Sequence, residues 1–343
     1  MKLSVRVKYI FSLACSTLGI LQWKIKRRAA HQFAILMYHR IIPKGGDEIL
    51  LQPGMYVAPD TFECHLQFLK DNFRILPLSE ILLNPNKKSD TGESKPLCYI
   101  TFDDGWQDLY NYAFPLLKAY QVSATVFLPT DFIGTNNWFW TDRLAYLLSQ
   151  KRIITYLNQQ NTYSNHPLIT KLLNLKGSHS NRLEKAIELF KTYRHNEIEE
   201  ALSELVLQCS VDLAPLGRAF LTWNEVKEMS ESGLISFGSH TAHHRILITL
   251  NDDEIYDELK TSKEKLIAEK VVVPSFIPLC YPNGNYTEKI ATMVEESGYT
   301  LAVTTESGWN STNSNPFQLR RIGIHQDMTS HTTMLACKII GLF

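Results

Sequence analysis

The chain has 343 residues, 44% of them hydrophobic, enough to bury the core of one large domain or two ordinary ones. Its 35 basic and 35 acidic residues cancel, so no global field argues for a nucleic acid partner. Six cysteines (Cys15, Cys64, Cys98, Cys209, Cys280 and Cys337) lie far apart without a CxxC pair, which argues against a disulfide framework and for buried thiols in a reducing compartment.

Residues 1–30 read as a basic N-terminal segment. Lys2, Arg6 and Lys8 precede the run Tyr9 to Trp23, and Lys24, Lys26, Arg27 and Arg28 close it. That run is shorter than the roughly 20 residues a spanning helix needs, and no convincing small-residue cleavage site precedes the basic stretch. Cations on both flanks suit a helix lying on an anionic membrane surface. An uncleaved anchor and a plain soluble leader are the alternatives. The matching expectation for location is cytoplasmic, peripheral to the inner face of the membrane.

Gln32 to Tyr38 predicts a first buried strand ending at His39-Arg40, followed by a Pro/Gly-rich loop. Apolar residues at 62, 66, 69 and 73 predict a helix over Thr61 to Phe73, and Asn84 to Lys95 is polar loop. Leu97 to Phe102 is a β-rich apolar run that stops at Asp103-Asp104-Gly105. A helix (Leu109 to Tyr120) and a strand (Ser123 to Leu128) follow. From Trp138 to about Leu221 no strand alternation is convincing, which predicts an inserted helical subdomain at about 135–221.

Alternation then resumes. Thr222 with Glu225, and Asn251 with Glu254, fit capping boxes that open two helices on either side of a strand at Leu234 to Gly238. Strands are predicted at Ser275 to Cys280, Thr300 to Thr304 and Leu319 to Ile324, with helices at Tyr286 to Ser297 and Met328 to Ile340. Strands alternating with helices imply parallel βα units, and seven or eight of them favour a barrel, here spanning 31–343 around the insertion. No GxGxxG or Walker pattern appears, which argues against nucleotide binding through those loops.

Three stretches carry chemistry. Two adjacent carboxylates, Asp103 and Asp104, at the C-terminal end of a buried strand sit where parallel α/β folds build sites. Ser239 to His244 places His240, His243 and His244 just after another strand. His240 and His244, spaced i, i+4 as on a helical turn, satisfy the spacing of paired metal ligands, with His240 and His243 as the rival pair. Two histidines and one carboxylate make a hydrolytic zinc shell, and the second acid then stands free to act as general base. Tyr281-Pro282-Asn283-Gly284 is either a plain turn or a backbone N–H aimed at an oxyanion.

Thr101-Phe-Asp-Asp-Gly105, Ser239-His-Thr-Ala-His-His244 and Tyr281-Pro-Asn-Gly284, in that order, resemble the motifs of the polysaccharide deacetylase (NodB-homology, carbohydrate esterase type 4) family. Ile35-Leu-Met-Tyr-His-Arg-Ile41 further resembles a subgroup of exopolysaccharide and cell-surface glycan deacetylases. The resemblance implies a distorted (β/α)7-8 barrel and one divalent metal, usually zinc. It also implies an N-acetylated sugar or glycan substrate, hydrolysed to amine and acetate. Carried over by position, Asp103 is the base, Asp104, His240 and His244 are the metal ligands, and the Asn283 N–H is the oxyanion donor.

Two departures stand out. The position that often holds a base-orienting arginine is Cys280, leaving Arg320 or Arg321 as the replacement. The usual C-terminal Leu-x-x-His is not clear near residue 325, while Leu36-Met-Tyr-His39 matches it at the other end, so His39 is the expected acid and His325 the alternative. Trp106, Tyr281, Trp138 and Arg321 are the candidate substrate contacts, and the insertion is a candidate lid. The competing functions are a deformylase or other linear amide hydrolase on a glycan precursor, and a carbohydrate-binding pseudoenzyme. A lipid-linked or membrane-proximal substrate is a further expectation, drawn from the N-terminus and the scattered thiols.

Overall fold

A computed structural model describes residues 3–28, 32–45, 54–83, 95–159, 164, 166–213 and 217–343. The predicted loop at 84–94, most of the glycine-bearing loop at 46–53 and part of the polar stretch at 158–166 lie outside these.

Seven strands form the centre: β1 (Gln32–Tyr38), β2 (Leu97–Phe102), β3 (Ala124–Leu128), β4 (Ile235–Ser239), β5 (Pro278–Cys280), β6 (Leu301–Ser307) and β7 (Leu319–Gly323). Each pairs in parallel with the next, and β1 pairs in parallel with both β2 and β7, so the sheet closes into a seven-stranded barrel. Arg74–Ile75 adds in parallel to β2 outside the ring, and Asn310–Ser311 adds antiparallel to β1. Because all seven strands run the same way, their C-terminal ends share one rim, and the residues immediately after them converge there.

The β2–β3 and β3–β4 connections are very different in size. The first is a π-helical turn (Leu109–Ala113) running into a helix (Phe114–Tyr120). Among the described residues the second holds six helices: five in the insertion, Trp140–Ser149, Lys151–Asn158, Pro167–Leu173, His179–Phe190 and His195–Cys209, and then Trp223–Glu231 leading into β4. The inward faces of the five insertion helices form a separate core that includes Leu144, Ile153, Leu168, Phe190, Leu202 and Leu205, all essentially buried. At about 1.5–3 kcal/mol for each large apolar side chain withdrawn from water, such a core is what chiefly packs these helices against one another.

The two N-terminal helices, α1 (Leu3–Thr17) and α2 (Ile20–Arg28), meet at Gly19, whose φ of 69° is open to glycine without strain. Cys15, Leu21 and Ile25 anchor them in the main core, and α1 lies against the last helix (Thr332–Ile339), with Tyr9 stacked on His331 and Ser12 hydrogen-bonded to Thr333. The predicted closing helix from Met328 to Ile340 is two helices, Gln326–Thr329 and Thr332–Ile339. Among the described residues, no helix is long and apolar enough to cross a membrane.

Candidate active site

The rim of the barrel gathers residues that follow four different strands. His39 follows β1, Asp103 and Asp104 follow β2, His240 follows β4, and Tyr281 and Asn283 follow β5. Together with Trp106, His244 and His325 they line one cleft of about 410 Å³.

The β2 end turns sharply. Asp104 and Gly105 both take positive φ (74° and 63°), which aspartate tolerates and glycine adopts freely. A Cβ on Gly105 would also stand 2.7 Å from Leu128 Cδ2, so the position has no room for a side chain. The turn sends the two carboxylates in different directions. Asp103, 2% exposed, receives two 2.7 Å hydrogen bonds from the guanidinium of Arg321. Asp104 receives the indole N–H of Trp106 on Oδ2 at 3.0 Å and turns Oδ1 toward His240 and His244.

Arg321 projects inward from β7 and is completely buried; its Nε–H donates to the Thr304 carbonyl and its terminal nitrogens to Asp103 and the Cys280 sulfur. The expectation that Arg321 contacts substrate is therefore corrected: no part of it reaches the surface. It fills the other role considered for it, a cation beneath the base, while Arg320 is exposed and faces Glu306 at 3.6 Å. Cys280, where an arginine was missing, supplies a compact thiol that fits between Arg321 and Asp103. Burial pushes the Asp103 carboxyl up, but Arg321, His39 and His240 outweigh it, and the net shift is downward.

The histidine loop also differs from expectation. Residues 240–244 are not helical. Thr241 and His244 take left-handed conformations (φ 62° and 56°), and this pair of reversals, not an i, i+4 helical turn, aims both rings at Asp104. The loop is tied by Ser239 Oγ to the Thr241 N–H and by Thr241 Oγ1 to the His244 N–H. His243 points elsewhere: its Nδ1 lies 2.9 Å from Glu258 and its Nε2 3.0 Å from Asp131, so the rival ligand pair is not assembled.

Glu258 was not anticipated. It is 1% exposed, accepts from the His243 backbone N–H at 2.8 Å, and faces Arg245 at 3.5 Å. A signal existed: Ile255, Glu258, Leu259, Ser262 and Leu266 form the buried stripe of one helix (Asp252–Ala268), and an acid within such a stripe needs a partner. Ser262, on the same stripe, bonds Ser239 at 2.7 Å.

The donor set fits a divalent cation. Asp104 Oδ1 lies 3.4 Å from both His240 Nε2 and His244 Nε2. Bonds of about 2.1 Å at tetrahedral angles place ligand atoms roughly 3.4 Å apart. His240 Nδ1 meets the Cys280 carbonyl at 2.8 Å; donation there leaves Nε2 free to ligate. A second group, Asp103, His240 and Cys280, also brings its ligand atoms within 4.8 Å of one another. Asp103 is already committed to Arg321 in that cluster, which makes it the poorer cage. Burial and the nearby His240 push His244 down to about 4, whereas Cys280, Asp104 and Asp103 hold His240 up against its own burial. Of the two imidazoles that face this carboxylate oxygen, His244 is the one whose charged form is disfavoured.

The other expected residues fall as follows. His39 Nε2 lies 3.8 Å from Asp103 Oδ2. Asn283 lines the cleft in a left-handed conformation (φ 57°). Tyr281 is fully buried and donates its hydroxyl to the Phe317 carbonyl, so it forms wall without a free polar group. Trp106, 4% exposed, stacks on Phe220 at 4.7 Å and supports Asp104. Trp138 lines a neighbouring chamber and not this one.

The arrangement, a parallel barrel with a paired-acid and two-histidine rim, defines a class of hydrolase. The chain belongs to the polysaccharide deacetylase family, whose sequence profile matches residues 90–302. Membership makes it a carbohydrate N-deacetylase. YxkH of Bacillus subtilis (strain 168), named as a polysaccharide deacetylase, is 24% identical over 308 residues, covering 89% of this chain and 76% of that protein. The poly-β-1,6-N-acetyl-D-glucosamine N-deacetylase of Staphylococcus epidermidis is 34% identical over 128 residues, so the match spans 34% of this chain and less than half (42%) of that relative. Two solved structures share the fold. Streptococcus pyogenes deacetylase PplD in complex with acetate has TM-score 0.57 and 24% identity, covering 90% of this chain and 98% of that one. IcaB from Ammonifex degensii has TM-score 0.56 and 16% identity, covering 89% and 97%.

Proposed function

We propose that the chain hydrolyses the N-acetyl group of an amino sugar within a glycan or glycan precursor, using one divalent metal, zinc by its donor set, held by Asp104, His240 and His244. The observation that carries this is the Asp104 oxygen at 3.4 Å from each of two imidazole nitrogens, beside a second, separately anchored carboxylate. When bound, the metal supplies Lewis acidity for the acetamide carbonyl and lowers the pKa of water. Asp103, kept ionised and oriented by Arg321, takes the proton of the attacking water. The Asn283 N–H stabilises the tetrahedral oxyanion. His39, as imidazolium, protonates the leaving nitrogen before the C–N bond breaks. His325 also lines the cleft, but burial lowers its pKa more than Asp327 raises it, which leaves less of it protonated to serve as the acid near neutrality.

The test is bound metal per chain together with acetate release from N-acetylated glycans, in wild type, Asp104→Ala and His240→Ala. Near-stoichiometric metal lost in both variants, with turnover lost alongside, is expected. A wild type that neither holds nor takes up metal overturns the mechanism, and formate release without acetate release favours the deformylase. His39→Ala retaining full kcat with metal bound would remove His39 as the acid.

The N-terminal helices add a location to this reading. Val7, Ile10, Phe11, Leu18 and Trp23 are 45–73% exposed on α1, α2 and the turn between them, while Ser12, Cys15, Leu21 and Ile25 face inward. Arg6, Lys24, Lys26, Arg27 and Arg28 accompany this outward apolar face. A surface that is apolar and basic together complements an anionic bilayer, and we infer that residues 1–30 seat the enzyme on one. Sedimentation with vesicles rich in phosphatidylglycerol, but not with pure phosphatidylcholine, is expected. Replacing Ile10 and Phe11 with serine should abolish it, and unchanged sedimentation would count against the inference.

A further inference from the structure

Beside the catalytic cleft lies a second chamber of about 570 Å³, built between the insertion and the histidine loop. The two share Phe139, Trp140, Lys191, His244 and Ile246 as common wall, so they adjoin. Phe139 stacks on the His244 ring at 4.4 Å, placing the first residues of the insertion directly against the site.

Unmet hydrogen-bonding capacity is concentrated here. Trp138 Nε1 and Arg143 Nε, on residues that line the second chamber, are enclosed without a hydrogen-bond partner among the described residues. So is Asp142 Oδ2, on a residue that lines the catalytic cleft. Buried polar atoms are normally paired, and a cluster of unpaired ones beside a site calls for a ligand. Asp142 has a further property. Its burial, opposed by Arg40 and reinforced by Asp104, pushes the carboxyl up to about 7, so near neutrality it can both donate and accept.

The chamber is aromatic but not electropositive. Arg143 is held by Glu199 through both terminal nitrogens, Lys191 by Glu188 at 2.8 Å, and Arg245 faces Glu258 at 3.5 Å. Each cation already has its carboxylate, which disfavours a phosphate or diphosphate and suits a neutral, hydroxyl-rich ring against Trp138 and Trp140.

We propose that Asp142 and the insertion chamber form a subsite for a second, uncharged sugar unit linked to the one being deacetylated, with Asp142 positioning the chain through a sugar hydroxyl. This rests on the deacetylase reading of the adjoining cleft. It sets the substrate as an oligomeric chain and turns the N-terminal membrane contact into a matter of location, not of a lipid-diphosphate substrate.

The test compares N-acetylglucosamine with its tetramer. The readout is the ratio of kcat/KM for tetramer over monomer, in wild type, Asp142→Leu, Asp142→Asn and Trp138→Phe, with circular dichroism confirming folding. A ratio of about tenfold or more in wild type is expected, the yield of one or two well-placed hydrogen bonds and ring contacts. It should collapse in Asp142→Leu, fall in Trp138→Phe and be largely restored in Asp142→Asn. A ratio that is absent in wild type, or equal in all four proteins, overturns the subsite. Tryptophan fluorescence titration of Asp103→Asn with tetramer separates the two readings. No acetate from either sugar, with tetramer binding that Asp142→Leu weakens about tenfold, leaves the subsite standing and the deacetylase reading overturned. Displacement of tetramer by lower concentrations of inorganic pyrophosphate would overturn the uncharged assignment, and loss of folding in Asp142→Leu leaves the decision to Trp138→Phe.

Discussion

The barrel rim and the insertion wall face one another across the cleft and are built on opposite principles. At the rim the two acids and the histidine loop are held in place before any substrate arrives. Arg321 holds Asp103, Trp106 holds Asp104, the Cys280 carbonyl meets His240, and Glu258 ties the histidine loop. On the insertion wall, Trp138, Asp142 and Arg143 each keep an enclosed polar atom without a partner. Groups that must be in place when charge develops are best fixed in advance by a rigid frame. Groups that select a substrate can be left for that substrate to complete, and a wrong ligand is then penalised by leaving them unpaired.

The contrast breaks most visibly at Arg321. Arg321→Ala leaves Asp103 buried without its cation, a change worth about 3–5 kcal/mol against folding. It also removes the group that orients the base, so a fall of about 10²-fold or more in kcat is expected. Arg320→Ala, one residue away on the exposed face of β7, should stay within about twofold. Thermal melts with acetate-release kinetics on both variants check this, and equal effects would show that the buried pair has no special place.

Much of this rim is visible in the sequence because motif chemistry sits at strand ends, and apolar β-rich runs mark those ends. Asp103, Asp104, His240 and His244 meet in one cleft as that pattern expects. The histidines meet for a different reason, since two left-handed residues replace the helical turn that their spacing imitates. Arg321 is ambiguous in sequence, because adjacent residues on a strand face opposite sides and only the register of β7 decides which arginine enters the barrel. Asp142 is silent for another reason: an acid in the first turn of a helix is the ordinary complement to the helix dipole, and nothing local says that it reaches the cleft.

A smaller effect is expected one layer out. Trp106→Phe preserves the stack on Phe220 but removes the N–H that orients Asp104. Outer partners of metal ligands are worth about 10–100-fold in affinity, so titration with zinc should show a weakening in that range. An unchanged affinity would mean that Asp104 is oriented by its backbone turn alone.

The smallest expected effect on the metal comes from the insertion core, and it tests the comparison most directly. Leu202 is 1% exposed among the insertion helices and lies in their separate core, not in the barrel's. Leu202→Ala should cost about 2–5 kcal/mol of packing there. The three ligands hang from β2, β4 and the loop tied by Glu258, so zinc affinity should hold within about twofold. The wall that carries Trp138 and Asp142 rests on the loosened helices, so selectivity for tetramer over monomer should fall. Isothermal titration with zinc alongside the chain-length ratio separates the two. Loss of both together would mean that the insertion is part of the metal site's frame, and that the division between a fixed rim and a ligand-completed wall does not hold.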